Sequence, residues 1–190
     1  LEAGDLNSDG KTDLVVGANG YSTITGRAYI FYNDGSIPTT AATADVIITG
    51  EASSFFGVSL TSGDFNADGK TDLAVGATNS PRAYLFYNDG SIPTTAATAD
   101  VIITGETFDS FGVSLTSGDF NADGKTDLAV GAQAYASSRG RAYIFTSQNG
   151  QVNTNVNLTG ETTSNYFGQS LASGDFNTDG KTDLAVGAYG

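Results

Sequence analysis

The stretch "GDFNADGKTDLAVGA", Gly63–Ala77, recurs letter for letter at Gly118–Ala132, with near-copies at Gly4–Ala18 ("GDLNSDGKTDLVVGA") and Gly174–Ala188 ("GDFNTDGKTDLAVGA"). Taking Asp5, Asp64, Asp119 and Asp175 as phase markers, the spacings are 59, 55 and 56 residues. Self-similarity at a fixed period outranks any local reading. This period exceeds most helical repeats and approaches that of a four-stranded propeller blade with generous loops.

Outward from the acidic phrase, each unit follows one grammar. "FGVSLTSGD" (Phe56 to Asp64) precedes it, "DLAVGA" (Asp72 to Ala77) closes it, and "PRAYLFYNDG" (Pro81 to Gly90), a Thr/Ala-rich link and "ADVIITGE" (Ala99 to Glu106) follow. The runs are short, rich in β-branched and aromatic residues and bounded by Gly, Asn, Asp and Pro, so they read as four strands, A to D. No window of twelve residues carries a helical stripe. The prediction is an all-β chain of four-stranded antiparallel blades, about three and a half per chain and some fourteen strands. It forms a single array over 1–190, with blade 1 near 1–50, blade 2 near 51–105, blade 3 near 106–160 and a partial blade 4 near 161–190. Propellers close with four to eight blades, so the open edges of such an array predict self-association between copies to complete the ring, or a place within a larger propeller.

Within the phrase, Asp64, Asn66, Asp68, Gly69, Lys70 and Asp72 occupy positions 1, 3, 5, 6, 7 and 9. Oxygen side chains at alternate positions, folded back by a glycine that tolerates positive φ, converge on one centre, and position 7 contributes a backbone carbonyl. Hard oxygen donors without nitrogen or sulfur select Ca²⁺, with Mg²⁺ or Mn²⁺ as weaker candidates. The candidate ligands are Asp5, Asn7, Asp9, Lys11 and Asp13; Asp64, Asn66, Asp68, Lys70 and Asp72; Asp119, Asn121, Asp123, Lys125 and Asp127; and Asp175, Asn177, Asp179, Lys181 and Asp183. Position 12, where an EF-hand loop carries a bidentate Glu, is Val16, Val75, Val130 and Val186, so the site must close at position 9. Turn formers alone would explain one such loop, but an ordinary hairpin would not hold three carboxylates together four times over.

The composition agrees. There are 21 acidic residues against 8 basic ones, and twelve of the acids lie in the four loops; about four Ca²⁺ per chain would bring the net charge from −13 to −5. The acidic balance argues against nucleic acid as partner. No apolar run suits membrane insertion. With no Cys or His, most nucleophile and general-base constellations are excluded, and zinc with them. Asp34, Asp45, Asp89, Asp100 and Asp109 lie outside the loops but show no paired arrangement, so the chain reads as non-enzymatic. Opening "LEAGDLNSDG", it reads as a processed or excised piece. Three carboxylates without a bidentate Glu suggest affinities of about 10⁻⁴ to 10⁻³ M, suited to a calcium-rich exterior.

The compound motif, Phe-Gly at Phe56-Gly57, Phe111-Gly112 and Phe167-Gly168 with Gly-Ala at Gly17-Ala18, Gly76-Ala77, Gly131-Ala132 and Gly187-Ala188, resembles FG-GAP repeats. These are the blades of the integrin alpha-subunit N-terminal propeller and also occur in bacterial surface and secreted proteins. The resemblance implies a propeller, commonly seven-bladed, with Ca²⁺ in the A–B hairpin loops and an extracellular or cell-surface location. The Pro of "GAP" is replaced by Asn19, Thr78, Gln133 or Tyr189. Family members also accompany catalytic domains such as a phospholipase, so an accessory propeller of a secreted hydrolase is one alternative and a lectin-type sugar-binding propeller another.

The A–B and C–D connections of such a blade share one face, and the B–C and D–A connections the other. The second face differs between copies, and Tyr21, Phe55, Phe108, Tyr135, Arg139 and Tyr166 on it are candidates for contacting a protein or glycan ligand. The run "RAYIFY" (Arg27 to Tyr32) and its copies at Arg82 and Arg141 read as core, with the three arginines pairing nearby acids. "FYNDGSIPTTAATADVIITGE" is identical from Phe31 and from Phe86.

Overall fold

The computed structural model describes residues 1–148 and 151–190. Alternating apolar runs bounded by Gly and Asp form three four-stranded antiparallel meanders and a closing hairpin. The first sheet has the order β1 (Glu2–Gly4), β2 (Asp13–Ala18), β3 (Arg27–Phe31), β4 (Val46–Thr49), and the second β5 (Leu60–Gly63), β6 (Asp72–Ala77), β7 (Arg82–Phe86), β8 (Val101–Thr104). The third holds β9 (Phe111–Gly118), β10 (Asp127–Ala132), β11 (Arg141–Gln148) and β12 (Gln151–Thr159), and β13 (Ser170–Gly174) pairs β14 (Asp183–Gly187). The all-β, blade-type architecture is the one the repeat predicts. Strand A of the second unit is shorter than the motif suggested, because Phe56 leaves β5 to form a parallel bridge with Gly26 of the preceding sheet.

Successive blades stand with their A strands side by side. A serine ladder crosses between them: Ser62 Oγ donates to the Ala3 carbonyl (3.3 Å), Ser117 Oγ to that of Ser62 (2.7 Å) and Ser173 Oγ to that of Ser117 (2.8 Å). The small residues of strand B have a steric reason. A Cβ on Gly17, Gly76 or Gly131 would collide with the carbonyl oxygen of Gly57, Gly112 or Gly168, the glycine of the next unit's Phe-Gly pair. The two halves of the compound motif are thus the two sides of one blade junction.

The core lies in these junctions. Between the first two sheets it gathers Leu6, Val15, Ile30, Ile48, Phe56, Tyr84, Phe86, Ile92 and Ala96, and between the next two Phe65, Leu85, Phe111, Leu128, Tyr143 and Phe145. Phe56 sits edge-on to Tyr84 at 5.4 Å, and Phe111 edge-on to Tyr143 at 5.3 Å. Such pairs add about 0.5–1.5 kcal/mol beyond area burial. The strand-C aromatics are core, as the sequence indicated.

Two excursions join C to D, residues 32–45 and 87–100, each with a 3-10 turn (Ala41–Thr43, Ala96–Thr98). Residues 94 and 95 of the second lie along the D edge of the first blade: Thr49 N donates to the Thr94 carbonyl at 2.9 Å, and Thr49 forms a parallel bridge with Thr95. In the third blade β11 runs almost directly into β12, without such an excursion.

Candidate metal centre and opposite face

Each acidic loop is closed by the pairing of a strand-A glycine with the position-9 aspartate: Gly4 with Asp13, Gly63 with Asp72, Gly118 with Asp127, Gly174 with Asp183. Within the loop, polar side chains turn inward onto the loop's own N–H groups. Asp9 N donates to Asp5 Oδ1 (3.1 Å) and Asn7 Oδ1 (3.0 Å), Gly10 N to Asp5 Oδ2 (2.9 Å) and Lys11 N to Asp9 Oδ1 (2.9 Å). The same pattern recurs around Asp64, Asp119 and Asp175. Gly10, Gly69, Gly124 and Gly180 take φ from +82° to +85°, the left-handed geometry in which a side chain is strained.

The position-9 aspartates are drawn elsewhere. Asp72 accepts from Phe65 N (3.0 Å) at the loop's start and from Asn88 N (2.8 Å) at the end of strand C. Asp13 does the same with Leu6 and Asn33, and Asp127 with Phe120 and Ser147. All three are buried and buckle the loop to the third strand; among the described residues Asp183 accepts only from the Phe176 N–H (3.0 Å). Burial pushes the Asp72 carboxyl up to about 6 and that of Asp127 upward, against the pull of the donated N–H groups. The Lys11 ammonium, 3.2 Å from Asp9 Oδ2, holds the Asp9 carboxyl below its ordinary value.

The donor set fits a hard divalent cation in kind: every side-chain donor is an oxygen, and the oxygens of positions 1 and 3 share one N–H and keep further lone pairs. As placed here, no three acids among the described residues stand close enough together to hold a metal ion. The side chains of positions 1 and 3 meet at the position-5 N–H, while position 9 faces the strand-C backbone.

On the opposite face, B–C and D–A connections interlock. Phe55 N donates to the Ile24 carbonyl, Asn79 N to that of Ser54 and Tyr166 N to that of Ser138. Two B–C connections make a left-handed turn without glycine, with Ser22, Thr23 and Ile24 at φ 46°, 52° and 61°, and Ala136, Ser137 and Ser138 at 49°, 61° and 60°. Such conformations cost about 1–2 kcal/mol per residue. Of the aromatic candidates, Phe108 is 90% exposed; Phe55, Tyr135 and Tyr166 are half-buried, and Tyr166 stacks on Tyr189 at 4.9 Å. Tyr21 lies under the Arg27 guanidinium (3.8 Å) and Tyr135 under that of Arg141 (3.5 Å), while Arg139 is exposed.

Sequence reasoning missed the staple behind Phe108. Buried Asp109 accepts from Glu106 N and Phe111 N, both at 2.8 Å, and its carbonyl accepts from Ala134 N. An acid at the position where the preceding unit carries Ser54 was the available signal. The arginine expectation holds in two of three cases: Arg82 pairs Glu51 and Arg141 pairs Glu106. No acid pairs Arg27 among the described residues; Tyr21 covers it instead, and its buried Nε has no partner.

Comparison with known proteins places this geometry. The FG-GAP repeat model matches residues 111–145 and 167–190, and the FG-GAP-like repeat model residues 5–75. The chain belongs to the FG-GAP repeat family. It is 34% identical to human integrin alpha-X over 95% of its own length and 17% of the relative's. It is 37% identical to human integrin alpha-7 over 70% of its length and 12% of the relative's. Bovine phosphatidylinositol-glycan-specific phospholipase D is 33% identical over 70% of this chain and 18% of that protein. The chain thus spans less than a fifth of these relatives. The crystal structure of rhamnogalacturonan lyase YesW matches 97% of the chain and 39% of its own with a TM-score of 0.60 at 14% identity, a likeness of fold alone. In FG-GAP terms, the Phe-Gly and Gly-Ala halves meet across each junction, and the acidic hairpins all lie on the A–B side.

Proposed function

We propose that this FG-GAP array is a calcium-stabilised, non-catalytic interaction scaffold that works outside the cell or on its surface. The observation that carries the reading is the fourfold repetition of one oxygen-lined hairpin, with the same donors at the same offsets and the same inward turn. Asp5, Asn7, Asp9 and Asp13, the Lys11 carbonyl and their equivalents would hold the ion. It would supply the positive charge that offsets the twelve carboxylates of the four loops, so that binding energy becomes folding energy. About four ions per chain are expected. The opposite face, with its left-handed turns, Phe108 and Arg139, is the surface offered to a protein or glycan, since strain concentrates where loops are built for contact.

The similarity to a phospholipase D supports a second reading, that of an accessory propeller beside a hydrolase domain. A pull-down with Phe108→Ser and Arg139→Ala variants against cell-surface extracts, beside a glycan array, separates the two binding classes. Calorimetric titration with Ca²⁺ tests the metal, and absence of heat in calcium-free protein would remove the central element.

A further inference from the structure

Each D–A loop holds two left-handed residues with one residue between them: Ser53 and Phe55, Phe108 and Ser110, Ser164 and Tyr166, at φ between 51° and 64°. The loops after blades 1 and 3 put serine first and the aromatic second, and there Phe55 and Tyr166 are half-buried. The loop after blade 2 reverses the order. Phe108 takes the serine place and is 90% exposed, while Ser110 takes the aromatic place.

A second difference falls beside the first. The B–C connections of blades 1 and 3 run over residues 19–26 and 133–140, but that of blade 2 only over 78–81. The longer ones carry the left-handed turns, whose last carbonyls, of Ile24 and Ser138, accept the Phe55 and Tyr166 N–H groups at 2.8 and 2.7 Å. The shorter one leaves that stretch out. Where loop and ring are both missing there is a hollow of about 250 Å³, lined by Thr78, Asn79, Pro81, Thr107, Phe108 and Ser110. On the other side of Phe108 lies a second, of about 180 Å³, with Asp109, Ala134 and Tyr135 in its wall. Phe108 stands between two four-stranded blades, so its exposure is set by the loops on either side of it.

The walls narrow the ligand. Glu106 is paired by Arg141 (3.3 Å), whose guanidinium also covers Tyr135 (3.5 Å), and Asp109 is held by two backbone N–H groups. No Lys or Arg lines either hollow. Little charge is left there to select an anion or a cation. An apolar anchor fits no better, because it would strand the hydroxyls of Thr78, Thr107 and Ser110 and the Asn79 amide, which is fixed by a bond from Nδ2 to the Ser53 carbonyl (2.6 Å). A neutral ring with an apolar C–H face and a hydroxyl rim satisfies both sides, since hydroxyls and amides donate and accept.

We propose that Phe108 is the stacking platform of a neutral-saccharide site, resting on the reading of this face as the one offered to ligands. A pyranose lays its polarised C–H groups on the negative face of the aromatic ring and its hydroxyls on Asn79, Thr107 and Ser110. The left-handed backbone of Phe108, costly for a bulky side chain, holds the ring clear of the core. The hollow is smaller than the roughly 300 Å³ of the smallest ordinary ligand pockets, so it takes one sugar unit of a longer glycan.

Glycan-array binding of the labelled chain, followed by calorimetric titration with the neutral oligosaccharides retained, tests this. Phe108→Ala is expected to weaken affinity about ten-fold or more, as removal of a stacking ring does, and Phe108→Trp to keep it. Ser110→Phe, which returns the aromatic to the place it has in the sibling loops, is expected to fill the hollow and abolish binding. Circular dichroism and melting should stay unchanged in all three. Glycan binding that survives Phe108→Ala and Ser110→Phe overturns the site, and its loss in Arg139→Ala would then leave the ligand face standing. A wild type that retains no neutral glycan overturns the saccharide class, whereas capture of a protein that Phe108→Ala releases would keep the face for a protein.

Discussion

Residues 31–51 and 86–106 offer a controlled comparison within one molecule. The same 21 letters fold into the same strand end, the same 3-10 turn and the same returning strand, with Asp45 and Asp100 each accepting the N–H of the tyrosine that leaves strand C (2.8 and 2.7 Å). Only the neighbour differs, and with it the burial of Ile37 against Ile92 and of Ile48 against Ile103. Local conformation follows from the letters, whereas energetic weight follows from position in the array. Stability in such arrays is a sum of unit terms and nearest-neighbour interfaces, so one substitution should have two different consequences in the two copies.

The largest contrast is at the isoleucine. Ile92→Asp would put a charge into a closed junction and is expected to cost roughly 4 kcal/mol or more, while Ile37→Asp, at a half-exposed position, should stay within about 0.5 kcal/mol. Urea unfolding of the two variants measures the gap, and equal losses would mean that the junction is not where this segment acts. The position-9 aspartates give the next contrast. Asp72→Ala leaves two buried N–H groups without acceptors, at about 1–3 kcal/mol each, whereas Asp183→Ala, with a single exposed contact, should cost no more than about 1 kcal/mol. Comparing their melting temperatures in chelator separates the buckle from any metal effect.

A smaller contrast concerns the D–A loops, where Asp109 stands in place of Ser54. Burial raises the Asp109 carboxyl above its ordinary value, so the folded state holds its proton more tightly than the unfolded one. The stabilising contribution is full below the unfolded value of 3.8 and is lost as pH rises through the raised folded value. The stability of wild type minus that of Asp109→Asn should therefore be greatest near pH 4 and decline toward neutrality; a rising difference would reverse the assignment. Smallest of all, Glu51→Gln should cost no more than about 1 kcal/mol by freeing a half-exposed Arg82. The same measurement in 1 M salt should shrink the difference.

Much of this was legible beforehand. The phase markers placed strands A to D, the all-β class and the loops, because turn glycines and apolar runs are local signals. The close packing of Gly76 on Gly112 could not be read from the local letters, since its cause lies one unit away. The buckle from Asp72 to Asn88 joins residues 16 apart across two strands, a contact that spacing within the loop does not reveal. The left-handed turns at Ser22–Ile24 and Ala136–Ser138 carried no signal, because serine, threonine, isoleucine and alanine in that geometry contradict local preference. The unequal burial of Ile37 and Ile92 was beyond any reading of letters that are the same.

The central claim is that each acidic hairpin takes one hard divalent ion. Calorimetric titration of chelator-treated protein with Ca²⁺, paired with melting at about ten times the dissociation constant, tests it most directly. The account predicts about four sites in the range of about 10⁻⁴ to 10⁻³ M and a stabilisation of about 1.4 kcal/mol per site, which raises the melting temperature by roughly 10–20 °C. An unchanged melting curve with no binding heat would contradict it.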